Sequence, residues 1–471
     1  MEEFDFGMVG LGVMGRNLLL NMADHGFSVA GLDLDPEKAE SLEKEASEKH
    51  TIKGTTQAEE FVKLIKKPRA IMLLVPAGKP VDSAIDSLLP FLEEGDIVVD
   101  GGNSFFPDTD RRVKELEQKG GIHFFGMGIS GGEKGARFGP SMMPGGNESA
   151  YERLRPIFEA IAAKVNNEPC VTYLGRGSAG NYVKMVHNGI EYAIMQLIAE
   201  TYDFLKRGYG ISTDKIQKLF EDWNNSELSS FLVEITADIL KQADEKTGKG
   251  LLLDYISDTA KAKGTGKWTS QDAMNIQAPV PSIDSAVVMR NISKYKEQRV
   301  AASKSLTWEA PAENVEEAQL FAEIKDAFYF CMISIYAQGL AQLTIASEEY
   351  DYGLNLEEVA KIWRGGCIIR AAALEDFRQA YQKDAALPNI LLDETIGKSM
   401  VEKQTAARAI VKKVIDKGIP AAVFTSALAY FDAFRSETLP TNLIQAQRDF
   451  FGAHRYERTD VEGIFHTEWN S

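Results

Sequence analysis

Residues 6–15, Phe6-Gly7-Met8-Val9-Gly10-Leu11-Gly12-Val13-Met14-Gly15, read FGMVGLGVMG, and this stretch decides how the first part of the chain folds. Strand-like residues Phe6 to Val9 run into glycines at GxGxxG spacing, and a helical pattern follows from Asn17 to His25. A plain glycine-rich turn also meets that spacing. A strand before it and a helix after it make the phosphate-binding turn of a dinucleotide site. Gly10 permits the tight turn, Gly12 lets backbone approach a pyrophosphate, and Gly15 allows close helix–strand packing. The helix start adds free N–H groups and the positive end of its dipole.

The second strand, Val29 to Leu32, ends in Asp33-Leu34-Asp35. An acidic side chain at this place accepts hydrogen bonds from adenosine ribose hydroxyls and repels a 2′-phosphate. No arginine stands beside it, so NAD is expected over NADP, although Lys38 leaves a cation within reach of a 2′-phosphate. Asp35-Pro36 also reads as an ordinary turn and helix cap.

Further strands are expected at Ala70 to Val75, Ile97 to Val99 and His123 to Met127, alternating with helical or turn-rich segments. Such alternation implies a parallel sheet covered on both faces by helices. In an open sheet of this kind ligands sit beyond the carboxyl ends of the strands. Those ends read VPAG (Val75 to Gly78), DGGNS (Asp100 to Ser104) and GISGGEKGA (Gly128 to Ala136), with Asn103 and Ser130 set among glycines. The expected cofactor site is therefore Gly10, Leu11, Gly12, Val13, Met14, Gly15, Asp33, Leu34, Asp35, Val75, Pro76, Ala77 and Asn103. Asn103, Ser130, Gly131 and Gly132 are expected to face the substrate.

After TYLGRGSAGN (Thr172 to Asn181) strand signals nearly vanish, and helical patterns run to about Arg435. The expected architecture is an α/β Rossmann-type N-terminal domain (1–178), a large all-α domain (179–435) and a C-terminal tail (436–471). YGISTDKIQKLF (Tyr209 to Phe220) and YGLNLEEVAKIW (Tyr352 to Trp363) each follow a long helical run, which suggests an internal duplication. The first of those runs carries VKMVHNGIE, with Lys184, His187, Asn188 and Glu191 at i, i+3, i+4 and i+7, a single stripe. A solvated face is the ordinary reading of such a stripe.

Composition limits the alternatives. The 52 Lys plus Arg against 69 Asp plus Glu give a formal net charge of −17, which argues against nucleic acid or an anionic membrane as partner. An anionic substrate would need a local basic pocket. The widely spaced Cys170, Cys331 and Cys367 form no CxxC pair, so neither a disulfide framework nor a metal site is expected. The acidic start MEEFDFGMVG is unlike a signal peptide. No apolar run of the roughly 18 residues a membrane helix needs is evident. A cytoplasmic location is expected. KAKGTGKWT lacks the first glycine and the final Ser or Thr of a P-loop, so ATP is not expected there.

VGLGVMG, DGGNSFFPDTDRR, SGGEKGARFGPSMMPGG, VKMVHNGIEY, KGTGKWT, WRGGCIIR and LIQAQRDFFGAH together resemble the 6-phosphogluconate dehydrogenase (decarboxylating) family, over essentially the whole chain. The resemblance implies a homodimer whose tail reaches into the partner subunit, with no metal in the reaction. It also implies oxidative decarboxylation of 6-phospho-D-gluconate, with Lys184 as base and then acid and Glu191 as the acid that protonates C1. His187 and Asn188 would bind the substrate, as would Lys263 with Tyr192 and Arg290 at its phosphate. Arg448 and His454 of the partner's tail would complete the site. The row from Lys184 to Glu191 spans about 10 Å of helix, the length of a sugar acid. WRGGCIIR, including Cys367, is expected only to pack. The family pattern Asn-Arg-Thr or Asn-Arg-Ser is replaced here by Asp33-Leu34-Asp35, which favours NAD. A smaller β-hydroxyacid dehydrogenase would not need the second helical half, KGTGKWT or the tail. A non-catalytic dinucleotide sensor would not need Lys184 and Glu191.

Overall fold

The computed structural model describes residues 3–313 and 315–469; the outermost residues of the first and last expected segments lie outside these. Seven strands form one sheet: β1 (Phe6–Val9), β2 (Val29–Leu32), β3 (Ile52–Thr55), β4 (Ala70–Leu73), β5 (Ile97–Asp100), β6 (His123–Ser130) and β7 (Ser141–Gly145). Their order is β3-β2-β1-β4-β5-β6-β7. The chain reverses direction across the sheet between β1 and β4, and a crevice opens there at the carboxyl ends. Alternate residues bury on opposite faces: Phe6, Met8, Met72 and Val99 on one, Val9, Leu32, Ile71 and Val98 on the other.

Two strands differ from the expectation. β3 reads IKGT, half-buried at the sheet edge, and a lysine and a glycine in four residues leave no apolar run. β7 reads SMMPG and runs antiparallel to β6, so the sheet is not wholly parallel. Pro144 is tolerated because β7 is an edge strand.

The helical part begins with the long helix Ala179–Asp203, laid against β6 and β7. It comes so close that a Cβ on Gly128 of β6 would sit 2.3 Å from Lys184 Cβ. Glycine in the strand thus lets the helix seat its polar row directly over the strand ends. Helix Glu317–Glu349 runs beside it, and helix Glu394–Asp416 packs along the latter. The two similar segments each start a short helix, Thr213–Trp223 and Leu356–Trp363, after one of the long ones. Helix Glu317–Glu349 does hold a window of membrane-spanning length and hydropathy, which corrects the sequence reading. Because 83% of that window is buried inside the fold, it is a core helix.

Glu200 ties this helical layer together. Its carboxylate accepts the N–H groups of Val423 and Phe424 at 3.0–3.2 Å, at the start of helix Ala422–Phe434. Burial pushes its pKa up to about 7, against those bonds, from 4.5. A raised folded pKa means the folded chain holds the proton more tightly than the unfolded one. The contribution to stability is therefore complete below the unfolded value and is lost as pH rises through about 7. Glu200→Gln is expected to flatten that part of the curve of denaturant midpoint against pH. An unchanged slope would contradict it.

The tail forms helix Thr441–Gly452 and a short strand pair, Tyr456–Glu457 with Ile464–Phe465. Asp449 is its hub, accepting from Arg455 N, Thr467 N and Trp469 Nε1 at 2.9–3.0 Å. Leu443, Ile444, Phe450 and Phe451 point outward, each more than half exposed.

Candidate active site

A cavity of about 450 Å³ opens at the topological switch, walled by Gly10, Gly12, Asp33, Leu34, Val75 and Pro76. Gly10 has φ +95°, and a Cβ there would lie 2.5 Å from the Leu74 carbonyl oxygen. A Cβ on Gly15 would meet the Gly10 carbonyl oxygen at 2.0 Å. At Gly12 nothing lies within 4 Å of that position, and helix Val13–Asp24 starts there without a side-chain cap. Bare helix N–H groups beside an open glycine fit a pyrophosphate. Leu11 contributes its backbone, since its side chain is buried, and Gly15 sits at the helix–strand contact.

Asp33 Oδ2 accepts the Leu11 N–H at 2.8 Å and Oδ1 the Asp35 N–H at 3.0 Å. Its carboxylate is thereby fixed at the rim. Lys38, left open by the sequence as a phosphate ligand, instead pairs with Asp33 at 3.5 Å and Asp35 at 3.9 Å. Leu34 is 93% exposed, and Asp35 caps the next helix through the Glu37 N–H. The opposite wall is Pro80, Ser83, Ala84 and Ser87 of helix Lys79–Leu88, which the sequence reading missed. Small residues at i, i+3, i+4 and i+7 directly after VPAG were the available signal.

Next to this cavity the DGGNS loop carries exposed Asn103. Asp100 pins it, accepting from Gly102 N at 3.0 Å and Ser104 Oγ at 2.6 Å. Arg112 lies 3.6 Å from Asp100 and donates to the Gly78 carbonyl at 3.1 Å, so one guanidinium holds the DGGNS and VPAG loops in register.

Ser130 ends β6, followed by Gly131 and Gly132 at φ +117° and +61°. Above it lies the row on helix Ala179–Asp203, and it is not a solvated face. Lys184, His187 and Asn188 are buried and Glu191 is nearly so. Lys184 Nζ is 3.3 Å from His187 Nδ1, which lies 3.0 Å from Asn188 Oδ1 and 4.0 Å from Glu191 Oε2. Burial lowers the Lys184 pKa, although Glu191 pulls it upward. Burial raises that of Glu191 against Lys184 and Arg290. Burial, with Lys184 adding to it, also holds the His187 ring neutral. An amine whose charge is disfavoured and a carboxyl whose proton is favoured thus share one helix edge, the environment that suits a base and an acid.

Beyond Glu191, the Arg290 guanidinium stacks on the Tyr192 ring at 3.5 Å and donates to the Lys261 carbonyl at 3.2 Å. Lys263 is exposed just before helix Thr265–Asn275. In the tail, Arg448 donates to Gln445 and His454 lies edge-on to Phe451. Among the described contacts none of Lys263, Arg448 and His454 touches the row. Cys367 corrects the expectation that WRGGCIIR only packs: its Sγ is 3.0 Å from His187 Nε2.

Two family models divide the chain. The NAD binding domain of 6-phosphogluconate dehydrogenase matches residues 5–175, and the 6-phosphogluconate dehydrogenase C-terminal domain matches 180–469. The chain belongs to the 6-phosphogluconate dehydrogenase family. A decarboxylating 6-phosphogluconate dehydrogenase of Lactococcus lactis subsp. lactis is 51% identical over 100% of this chain and 99% of its own. One from Bacillus subtilis, NADP(+)-dependent and decarboxylating, is also 51% identical, over 100% of both chains. The 6-phosphogluconate dehydrogenase of Plasmodium falciparum, solved apo, with NADP+ and with 6-phosphogluconate, superposes with a TM-score of 0.95. It is 43% identical and covers 99% of this chain and 100% of its own. Family membership gives the domain of residues 5–175 a nicotinamide dinucleotide as its cofactor.

Proposed function

We propose that this chain converts 6-phospho-D-gluconate to D-ribulose 5-phosphate and CO2, with NAD preferred over NADP as oxidant. The observation that carries the reading is the buried pair: a lysine driven toward neutrality and a glutamic acid driven toward protonation, on one helix edge over the strand ends. Lys184 takes the proton of the C3 hydroxyl as C3 is oxidised. A dinucleotide held in the crevice would supply the acceptor for the C3 hydride. Lys184, now an ammonium, returns that proton to the C3 oxygen as the C1 carboxylate leaves as CO2 and negative charge builds there. Glu191 then protonates the enediol at C1 of the product, and Lys184 takes back the hydroxyl proton so that the ketone forms. The proton lost by Glu191 equals the one gained by Lys184, so the cycle balances. The ammonium does the work a metal ion would do, and no metal is needed in this scheme.

Gly10 to Gly15, Asp33 and Val75 to Ala77 would hold the dinucleotide. Asn103, Ser130 to Gly132, His187 and Asn188 would hold the sugar acid, and Lys263, Tyr192 and Arg290 its phosphate. The division into 1–178, 179–435 and 436–471 follows this reading, as does a cytoplasmic location. The outward apolar side chains of the tail, Leu443, Ile444, Phe450 and Phe451, favour a homodimer in which Arg448 and His454 enter the partner's site.

Turnover of 6-phosphogluconate across pH tests the scheme. kcat is expected to rise with pH as Lys184 deprotonates, along a limb below an ordinary lysine's. It should fall as Glu191 deprotonates, along a limb above an ordinary glutamate's. No CO2 release with either cofactor, or turnover of small β-hydroxyacids alone, would overturn the proposal.

A further inference from the structure

We infer that Cys367 and Ser130 fix the tautomer of His187, and through it hold Lys184 as the neutral amine. The inference rests on the reading of Lys184 as the base. The buried His187 ring shows its two nitrogens to different groups. Nε2 lies 3.0 Å from Cys367 Sγ and 3.1 Å from Ser130 Oγ. Ser130 Oγ accepts the Ile368 N–H at 3.2 Å and has one hydrogen to donate, which His187 Nε2 and Cys367 Sγ share. Cys367 Sγ in turn accepts the Ile369 N–H, and burial pushes the thiol up to about 12, so it keeps its hydrogen. Among the described residues, both groups at Nε2 carry a hydrogen they can donate, so this side of the ring suits a lone pair.

A neutral imidazole with a bare Nε2 carries its proton on Nδ1. That side faces an acceptor, Asn188 Oδ1, at 3.0 Å and Lys184 Nζ at 3.3 Å. An ammonium there would set N–H against N–H, whereas a neutral amine offers a lone pair. In the opposite tautomer Nδ1 would accept from Lys184 and favour its charged form. Other groups around the pair are Glu191 on the same helix, Arg290 on helix Pro281–Ser293, which faces Glu191, and Trp363, edge-on to His187 at 5.8 Å. Glu191 and the Cys367 sulfur both favour the ammonium electrostatically; burial and the tautomer oppose them. Cys367 and Ser130 are in this respect positioning residues.

The test uses full-length protein labelled with 15N-histidine, together with the pH profile of kcat. In the unsubstituted protein the His187 proton is expected on Nδ1. In Ser130→Ala/Cys367→Ala the proton is expected to shift to Nε2, and the rising limb to move to higher pH by about one unit. Cys367→Ser, which keeps a hydroxyl donor, should leave tautomer and limb in place. Loss of a substrate contact at Ser130 alone would raise KM without moving the limb. A proton on Nε2 in the unsubstituted protein overturns the inference, as does a double variant in which neither readout moves. A changed tautomer with an unmoved limb overturns the link to Lys184. The labelled ring reports whether or not 6-phosphogluconate is turned over. Absence of turnover would therefore sink the proposed function and leave the tautomer result standing.

Discussion

Replacing Lys184 with methionine is expected to cut kcat for 6-phosphogluconate oxidation by roughly 10⁴-fold or more, with the dinucleotide still bound. A general base alone contributes about 10²–10⁴-fold. Lys184 serves twice in the proposed cycle, as base at the C3 hydroxyl and then as the cation beside the C3 oxygen, so both contributions go together. The side chain is buried with its stem against Gly128, and methionine fills nearly the same volume. Removing an amine from a site that already disfavours its charge costs the fold little. A thermal midpoint close to that of the unsubstituted chain is therefore expected, and NADH fluorescence titration should give a Kd within a few-fold. Retention of more than about a tenth of kcat would remove Lys184 from the base role. A collapse of cofactor binding would show instead that the substitution had disturbed the strand ends.

Lys184 also shows where the sequence was informative and where it was silent. The spacing of Lys184, His187, Asn188 and Glu191 placed them on one edge, because helical period is a local property. Their burial was not legible, since it depends on Gly128 letting the helix settle on β6, more than fifty residues earlier in the chain. Cys367 illustrates the same limit more sharply. It lies 180 residues from His187, and nothing in WRGGCIIR announces that one thiol faces an imidazole. The GxGxxG turn was readable, because Gly10 and Gly15 answer contacts made within a few residues or across one neighbouring strand, while Gly12 leaves open space beside the helix start. β7 was not, since Pro144 and Gly145 contradict strand propensity and only pairing with β6 makes the segment a strand. Lys38 had two readings in sequence, and the Asp33 and Asp35 carboxylates that engage it became evident only in three dimensions.

The cofactor ratio is the second large effect, and this chain's own residues carry the argument for it, because the B. subtilis relative is named NADP(+)-dependent and the P. falciparum protein was solved with NADP+. With saturating 6-phosphogluconate, kcat/KM is expected to favour NAD over NADP by roughly 10–100-fold, equivalent to about 1.4–3 kcal/mol. Asp33 is held at the cavity rim by two backbone N–H groups, so it cannot swing away from a 2′-phosphate. Lys38, the nearest cation, is engaged by Asp33 and Asp35, and Leu34 offers no donor. Asp33→Asn with Leu34→Arg is expected to reverse the ratio. Asparagine can still accept the Leu11 N–H, so the glycine turn survives, while losing the charge releases Lys38. An arginine at the exposed position 34 would add a charge-assisted bond to the phosphate, worth about 1.5–3 kcal/mol. Preference for NADP in the unsubstituted chain would refute the Asp33 argument and leave the Lys184 chemistry intact. It would mean that Lys38 breaks its two carboxylate pairings to reach the phosphate, and Lys38→Met should then abolish that preference.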